Sequence, residues 1–124
     1  MSDYKLKIGI TQGDTNGIGW EVILRTLGDS RMVELFTPVV YGSQSVAKHY
    51  AATLDEECGR VQFNVVGSAR EARRGKVNLV ECGTPSVVKA GEPAKEAGAA
   101  AVEALERAIV DLQEGELAAL VTAR

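Results

Sequence analysis

The residues best placed for chemistry lie in Gly13-Asp14-Thr15-Asn16-Gly17-Ile18-Gly19-Trp20-Glu21. Three glycines and an aspartate stand between an apolar run, Leu6 to Thr11, and a run of helical period, Trp20 to Leu27. Glycine lets a backbone bend tightly and approach another group closely. A helix that starts directly after such a bend presents unpaired N–H groups and the positive end of its dipole. Together these favour an anion by ~0.3–1 kcal/mol at an exposed site. Two readings stand: a tight βα connection whose glycines meet steric needs alone, and a ligand-contacting loop. The pattern is neither GxGxxG nor a P-loop, which ends in Gly-Lys-Ser/Thr. Asp14 would oppose an anion beside it, and is suited instead to bonding backbone N–H groups of its own loop. Glu21 falls in the first helical turn, where a carboxylate complements the dipole; that role is preferred here to a catalytic one.

Elsewhere the chemistry is sparse. His49 is the only histidine, so the chain alone builds no multi-histidine metal site. Ser43, Ser45 and Ser86 have no evident base partner, which leaves a Ser-His-Asp arrangement unsupported. Thr122 ends a strand-like run, where a hydroxyl is able to reach a ligand; ordinary strand chemistry is the competing account. Cys58 and Cys82 lack CxxC spacing and read as two free, non-catalytic thiols in a reducing compartment. A net charge of −3 without a basic stripe argues against nucleic acid. The cluster Arg70, Arg73, Arg74, Lys76 is short and reads as a solvated connection. No apolar stretch approaches the ~20 residues of a membrane span. With no apolar signal region in Met1 to Lys5, a cytoplasmic protein is expected.

The elements that must position the loop follow from periodicity. Lys5–Gln12 reads as a strand. Trp20, Ile23, Leu24 and Leu27 form one helix face, with Gly28 as a C′ stop. Thr37–Gly42 reads as a buried strand, Ser43 as the cap of a helix to about Leu54, and Val61–Val66 as a third strand. Gly67–Gly75 is a charged connection, and Lys76–Cys82 a fourth strand. From Pro93 to Glu114, Gly98, Ala101, Val102, Leu105, Ala108, Ile109 and Leu112 repeat at helical spacing, and Gly115 suits the stop. Glu103 and Arg107 are expected to pair at i,i+4 on the wet side, and the small face Ala97, Ala100, Ala104 to admit another helix. Leu117–Thr122 is the last strand. The order β-α-β-α-β-β-α-β predicts a single α/β domain over residues 1–124 with a mainly parallel sheet in three α/β/α layers. At 124 residues, with 45% apolar and 25% charged residues, one globular core is expected.

Gly13 to Glu21 resembles the Gly-Asp-Pro-x-Gly-Ile-Gly-Pro-Glu signature of the 4-hydroxythreonine-4-phosphate dehydrogenases of pyridoxal phosphate synthesis. Gly91-Glu92-Pro93 followed by Gly98 is similar to the family's Gly-x-Pro-x-x-x-x-Gly helix entry. Ala118 to Ala123 is similar to the strand leading into its Val-Thr-Ala-Pro-Ile-Asn-Lys motif. Thr15 and Trp20 stand where the family usually has proline, and Arg124 where the third motif continues with proline. The resemblance implies the N-terminal portion of a longer two-domain enzyme, related in fold to isocitrate and isopropylmalate dehydrogenases. It implies an NAD- or NADP- and divalent-metal-dependent oxidation of a phosphorylated hydroxy amino acid, followed by decarboxylation, in a homodimer or larger oligomer. Carried over residue by residue, it places Gly13, Asp14, Asn16, Gly17, Ile18 and Gly19 against the cofactor and Thr122 against substrate. It assigns no catalytic residue and no metal ligand to this chain, which alone is expected to be inactive. A stand-alone α/β phosphate- or nucleotide-binding module is the alternative. An isopropylmalate-type enzyme ranks lower, because the loop is longer than that group's Gly-Asp-Gly-Ile-Gly. A portion of a longer enzyme is also expected to leave a sheet edge or face uncovered and to self-associate.

Overall fold

The structure is a computed structural model that describes residues 6–54, 61–83 and 95–122. Strands are β1 Lys7–Thr11, β2 Thr37–Gly42, β3 Phe63–Val66, β4 Val77–Glu81 and β5 Ala119–Thr122. Helices are α1 Gly19–Leu27, α2 Met32–Leu35, α3 Gln44–Ala51 and α4 Lys95–Gln113, with a 3-10 turn at Ala69–Glu71. The strands form one sheet in the order β3-β4-β2-β1-β5, and every pairing is parallel. Each predicted strand and helix is present, and the α/β/α layering is as expected.

β2 is the central strand, and all six of its residues are buried. A parallel strand covered on both faces reads as a continuous apolar run, and Thr37-Pro38-Val39-Val40-Tyr41-Gly42 is one. Its alternation divides the core. Val40 joins Trp20, Ile23 and Leu24 of α1 and Val46 and Ala47 of α3 on one face. Val39 and Tyr41 meet Ala104 and Ala108 of α4 on the other. The connections β1→β2 and β2→β3 advance toward one edge of the sheet with their helices on the first face. β3→β4 and β4→β5 run the opposite way with theirs on the second. All four crossovers therefore share one hand, as the chirality of parallel connections requires.

Local chemistry sets most boundaries. Ser43 is extended, and its Oγ accepts from Val46 N at 3.3 Å, the expected cap of α3. Gly115 is left-handed at φ 78°; its N–H reaches Leu112 O while Glu116 N–H reaches Asp111 O, a Schellman stop. α1 ends at Leu27 with Gly28 as its C-cap, in right-handed backbone at φ −69°, and the chain turns through Asp29, whose Oδ1 accepts from the backbone N–H of Arg31, the N-cap of the short α2.

α4 is rotated from its predicted orientation. Its buried residues are Ala97, Ala100, Ala104, Ala108 and Asp111, while Val102, Ile109 and Leu112 are exposed. The small face packs on the sheet and not on another helix. Tyr41 fills the space between them, and small side chains let the helix approach over it. Arg107 accordingly pairs with Asp111 at 2.8 Å, not with Glu103, whose carboxylate accepts from Gly83 N.

Candidate functional site at the carboxyl end of the sheet

In an open parallel sheet, ligands sit beyond the carboxyl ends of the strands, where neighbouring connections diverge to opposite faces. Here β2 leads into α3 on the first face and its neighbour β4 leads toward α4 on the second. The two exits are joined across that divergence: Gln44 N donates to the Glu81 carboxylate at 3.1 Å. On the other side of β2 lies β1, and Thr11 at its end stands opposite Thr122 of β5.

The glycine loop occupies this end. Gly13 is left-handed at φ 69°, a conformation that excludes most side chains. Asp14 Oδ1 accepts from Asn16 N at 2.8 Å, and Gly17 N donates to Asp14 O at 3.0 Å. Asp14 thus does what its residue type suggested: it folds its own loop. Thr15 and Asn16 are buried beneath it, and Tyr50 Oη of α3 donates to Thr15 O at 2.5 Å. Burial, then the carboxylates of Asp14 and Glu21, hold the Tyr50 phenol above its ordinary pKa, so it remains a donor. The Thr15 hydroxyl is buried with no partner among the described residues. The loop's solvent face is Ile18, 67% exposed, which is also the N-cap of α1 and supplies it no side-chain cap.

The residue that fixes this arrangement is Gln12, which is fully buried. Its Oε1 accepts from Trp20 Nε1 and from Ser43 N, each at 3.0 Å. Its Nε2 donates to Gly83 O at 2.8 Å and to Ala100 O at 3.4 Å. One amide therefore joins β1, α1, the β2–α3 turn, the β4 exit and α4. Gly42 and Gly83 make room for it. A Cβ on Gly42 would lie 2.8 Å from Gln12 Oε1, and one on Gly83 2.4 Å from Gln12 Nε2. Sequence reasoning passed over Gln12, because a glutamine after a strand carries no motif, and its burial is visible only in the structure.

Of the residues expected to contact ligand, Ile18, Gly19 and Thr122 line one groove of about 480 Å³ between α1 and the β1–β5 end of the sheet. Gly13, Asp14, Asn16 and Gly17 are not among its lining residues, and Gly13 and Asn16 are buried. No lysine or arginine stands in the loop. Among the described residues no three His, Cys, Asp or Glu side chains come together to hold a metal ion. His49 is exposed on α3, edge-on to Tyr50. Glu21 is 3.7 Å from Arg25 on the helix surface. Cys82 is a free thiol, while Ser86 and Cys58 lie outside the described residues. No helix among the described residues is long and apolar enough to cross a membrane.

A second polar cluster holds the opposite face. Asp111 is buried and accepts from Tyr41 Oη at 2.6 Å, Ala69 N at 3.0 Å and Arg107 Nη1 at 2.8 Å. Burial raises its pKa, but these donors outweigh burial and the net shift is downward. Arg107 also donates to Gly67 O, so the cluster pins the β3–β4 connection to α4.

Comparison with known proteins agrees with this geometry. The family model for pyridoxal phosphate biosynthetic protein PdxA matches residues 34–124. A 4-hydroxythreonine-4-phosphate dehydrogenase of Bacteroides thetaiotaomicron is 45% identical over 124 residues, covering 99% of this chain and 33% of its own. A protein of Oceanobacillus iheyensis, provisionally named a D-threonate 4-phosphate dehydrogenase, is 30% identical, covering 94% of this chain and 35% of its own. The crystal structure of a 4-hydroxythreonine-4-phosphate dehydrogenase from Burkholderia phymatum superposes with a TM-score of 0.84 at 28% identity, over 97% of this chain and 36% of that one. The chain spans about a third of the length of these relatives.

Proposed function

The chain belongs to the PdxA family of pyridoxal phosphate biosynthetic proteins, and on that premise we propose that it is the N-terminal portion of a two-domain 4-hydroxythreonine-4-phosphate dehydrogenase. The observation that carries the reading is 45% identity along nearly the whole chain to a curated enzyme of that activity. The working form is a cytoplasmic homodimer or larger oligomer. It oxidises a phosphorylated hydroxy amino acid with NAD or NADP and a divalent metal, and the product then loses carbon dioxide.

In this reading the described residues shape a cleft. A bound dinucleotide would supply the hydride acceptor. Gly13, Asp14, Asn16, Gly17, Ile18 and Gly19 would contact it, and Thr122 would offer a hydroxyl to substrate. Gln12 and Tyr50 keep that loop in place from below. The described residues do not fit a divalent metal, so no step is assigned through one here.

The test is a chimera in which this chain replaces the matched third of the Bacteroides thetaiotaomicron relative. The expected result is substrate-dependent NAD(P)H formation with 4-phosphohydroxythreonine by the chimera, and none by the 124-residue chain alone. A folded chimera that is inactive, or that prefers D-threonate 4-phosphate, overturns the proposal.

A further inference from the structure

Gly13 to Gly19 run between Gln12, at the exit of β1, and Trp20, in the first turn of α1. Three of these seven residues are glycines. Glycine leaves a chain more conformations to lose on folding than any other residue, so a loop this rich in it needs ties to hold one shape. The bonds it makes for itself, Asn16 N to Asp14 Oδ1 and Gly17 N to Asp14 O, fold its tip. They do not fix where that tip stands on the sheet.

Two ties from outside the tip do. The first closes the neck of the loop. The residues on either side of it meet through their side chains, Trp20 Nε1 donating to Gln12 Oε1 at 3.0 Å. Both are fully buried, and neither is free to shift. The Trp20 ring stands edge-on to Phe63 at 6.0 Å within the first-face core, and Gln12 Nε2 donates to Gly83 O at the β4 exit. The second tie props the middle, where Tyr50 Oη of α3 donates to Thr15 O at 2.5 Å.

We propose that Gln12 and Trp20 are positioning residues: the bond between their side chains staples the neck of the Gly13–Gly19 loop, and that staple sets how tightly the loop holds its ligand. The inference rests on the reading of this loop as the one that contacts the dinucleotide. Neither side chain touches the ligand, since both are fully buried. The staple holds the loop in the same shape before and during the reaction. Its loss therefore weakens ground-state and transition-state binding alike, which raises KM for the dinucleotide and leaves kcat nearly as it was. A residue that served folding alone would act differently. Its loss would lower turnover per mole of protein and leave each KM in place.

The test places Trp20→Phe in the chimera that carries this chain, which removes the indole N–H and keeps an aromatic ring in the core. Amide hydrogen exchange is followed by mass spectrometry in the peptide spanning the loop, with the buried strand β2 as reference. The loop is expected to exchange about tenfold faster than in the parent chimera, and β2 at an unchanged rate. NAD and NADP affinity, measured by calorimetry without turnover, is expected to weaken about fivefold, and KM for the dinucleotide to rise with it while kcat and KM for the phosphorylated substrate hold. Tyr50→Phe cuts the other tie and is expected to give the same pattern if Trp20→Phe does not fold. Unchanged loop exchange or unchanged affinity in a folded variant overturns the proposal. So does a fall in kcat with every KM constant, and so does a parent chimera that binds neither dinucleotide. A parent chimera that binds the dinucleotide without turning over sinks the activity reading, and the exchange and affinity of Trp20→Phe then decide this one alone.

Discussion

Replacing Gln12 by methionine removes four hydrogen-bonding contacts while nearly keeping the side chain's length and shape. The Trp20 indole N–H, the Ser43 N–H and the Gly83 carbonyl lose a buried partner. Ala100 O loses only a long 3.4 Å contact and lies within a helix, so its share is small. Leaving a buried polar group unsatisfied costs ~1–3 kcal/mol. Three such groups at one point share their relaxation, so the expected loss is about 3–5 kcal/mol rather than the full sum. Against a typical domain stability of about 5–15 kcal/mol, that is a large fraction. At this size each kcal/mol moves Tm by about 3–5 °C, which gives a fall of about 9–25 °C. Circular dichroism measures the fall. Trp20, the only tryptophan, reports the cause: its indole proton should move upfield as the bond to Gln12 disappears. A Tm within 3 °C of the parent (below the ~1 kcal/mol that a single lost bond would cost), with an unmoved indole resonance, would refute the idea that this amide holds the segments together.

Thr15→Val should raise Tm by about 3–5 °C, because it removes a buried hydroxyl that has no partner among the described residues, at a gain of about 1 kcal/mol; a drop in Tm would show that the hydroxyl is bonded. Gly83→Ala should destabilise by about 2–4 kcal/mol in urea unfolding, since its Cβ would lie 2.5 Å from Ala100 O at a residue whose φ is +63°. Asp111→Asn should cost about 1–3 kcal/mol at neutral pH. The folded-state pKa of Asp111 lies below its ordinary 3.8, so its contribution is present above pH 4 and is lost as pH falls through the folded value. The gap between parent and variant must therefore narrow in acid, and a gap that stays constant contradicts the role. The Cys82 thiol is pushed up to about 12, by burial first and then by Glu103 and Glu81. In a Cys58→Ser background it should react with a disulfide reagent at least a hundredfold more slowly folded than in urea at pH 8; comparable rates would place it in contact with solvent.

The strands and helices were legible because each is built on a local pattern. The α1 stripe Trp20, Ile23, Leu24, Leu27 is buried as read, and Ser43 caps α3. The orientation of α4 was not legible. Its two faces compete, one of larger apolar residues and one of alanines, and a tertiary fact decides between them: Tyr41 projects from β2 into the space where the helix must lie. Once Tyr41 is there, only the alanine face comes close enough, and Asp111 rotates inward to accept from its hydroxyl. The same rotation sends Val102, Ile109 and Leu112 outward, where periodicity alone had placed a buried face.

The loop divides along the same line. That Asp14 folds its own turn was readable from residue type, since Asx side chains bond backbone two residues on. That Gln12 fixes the loop from beneath was not, because its partners come from Trp20, Ser43, Gly83 and Ala100, spread across most of the chain. The two observations together restrict what the glycines do. Gly13 is required by its left-handed φ, while Gly42 and Gly83, outside the loop altogether, are required because a Cβ would strike Gln12. The glycine-rich signature is therefore only the visible third of a packing arrangement in which three separate strand exits close around one buried amide. A ligand resting on Ile18 would rest on that arrangement, and its rigidity follows from bonds that no local motif displays.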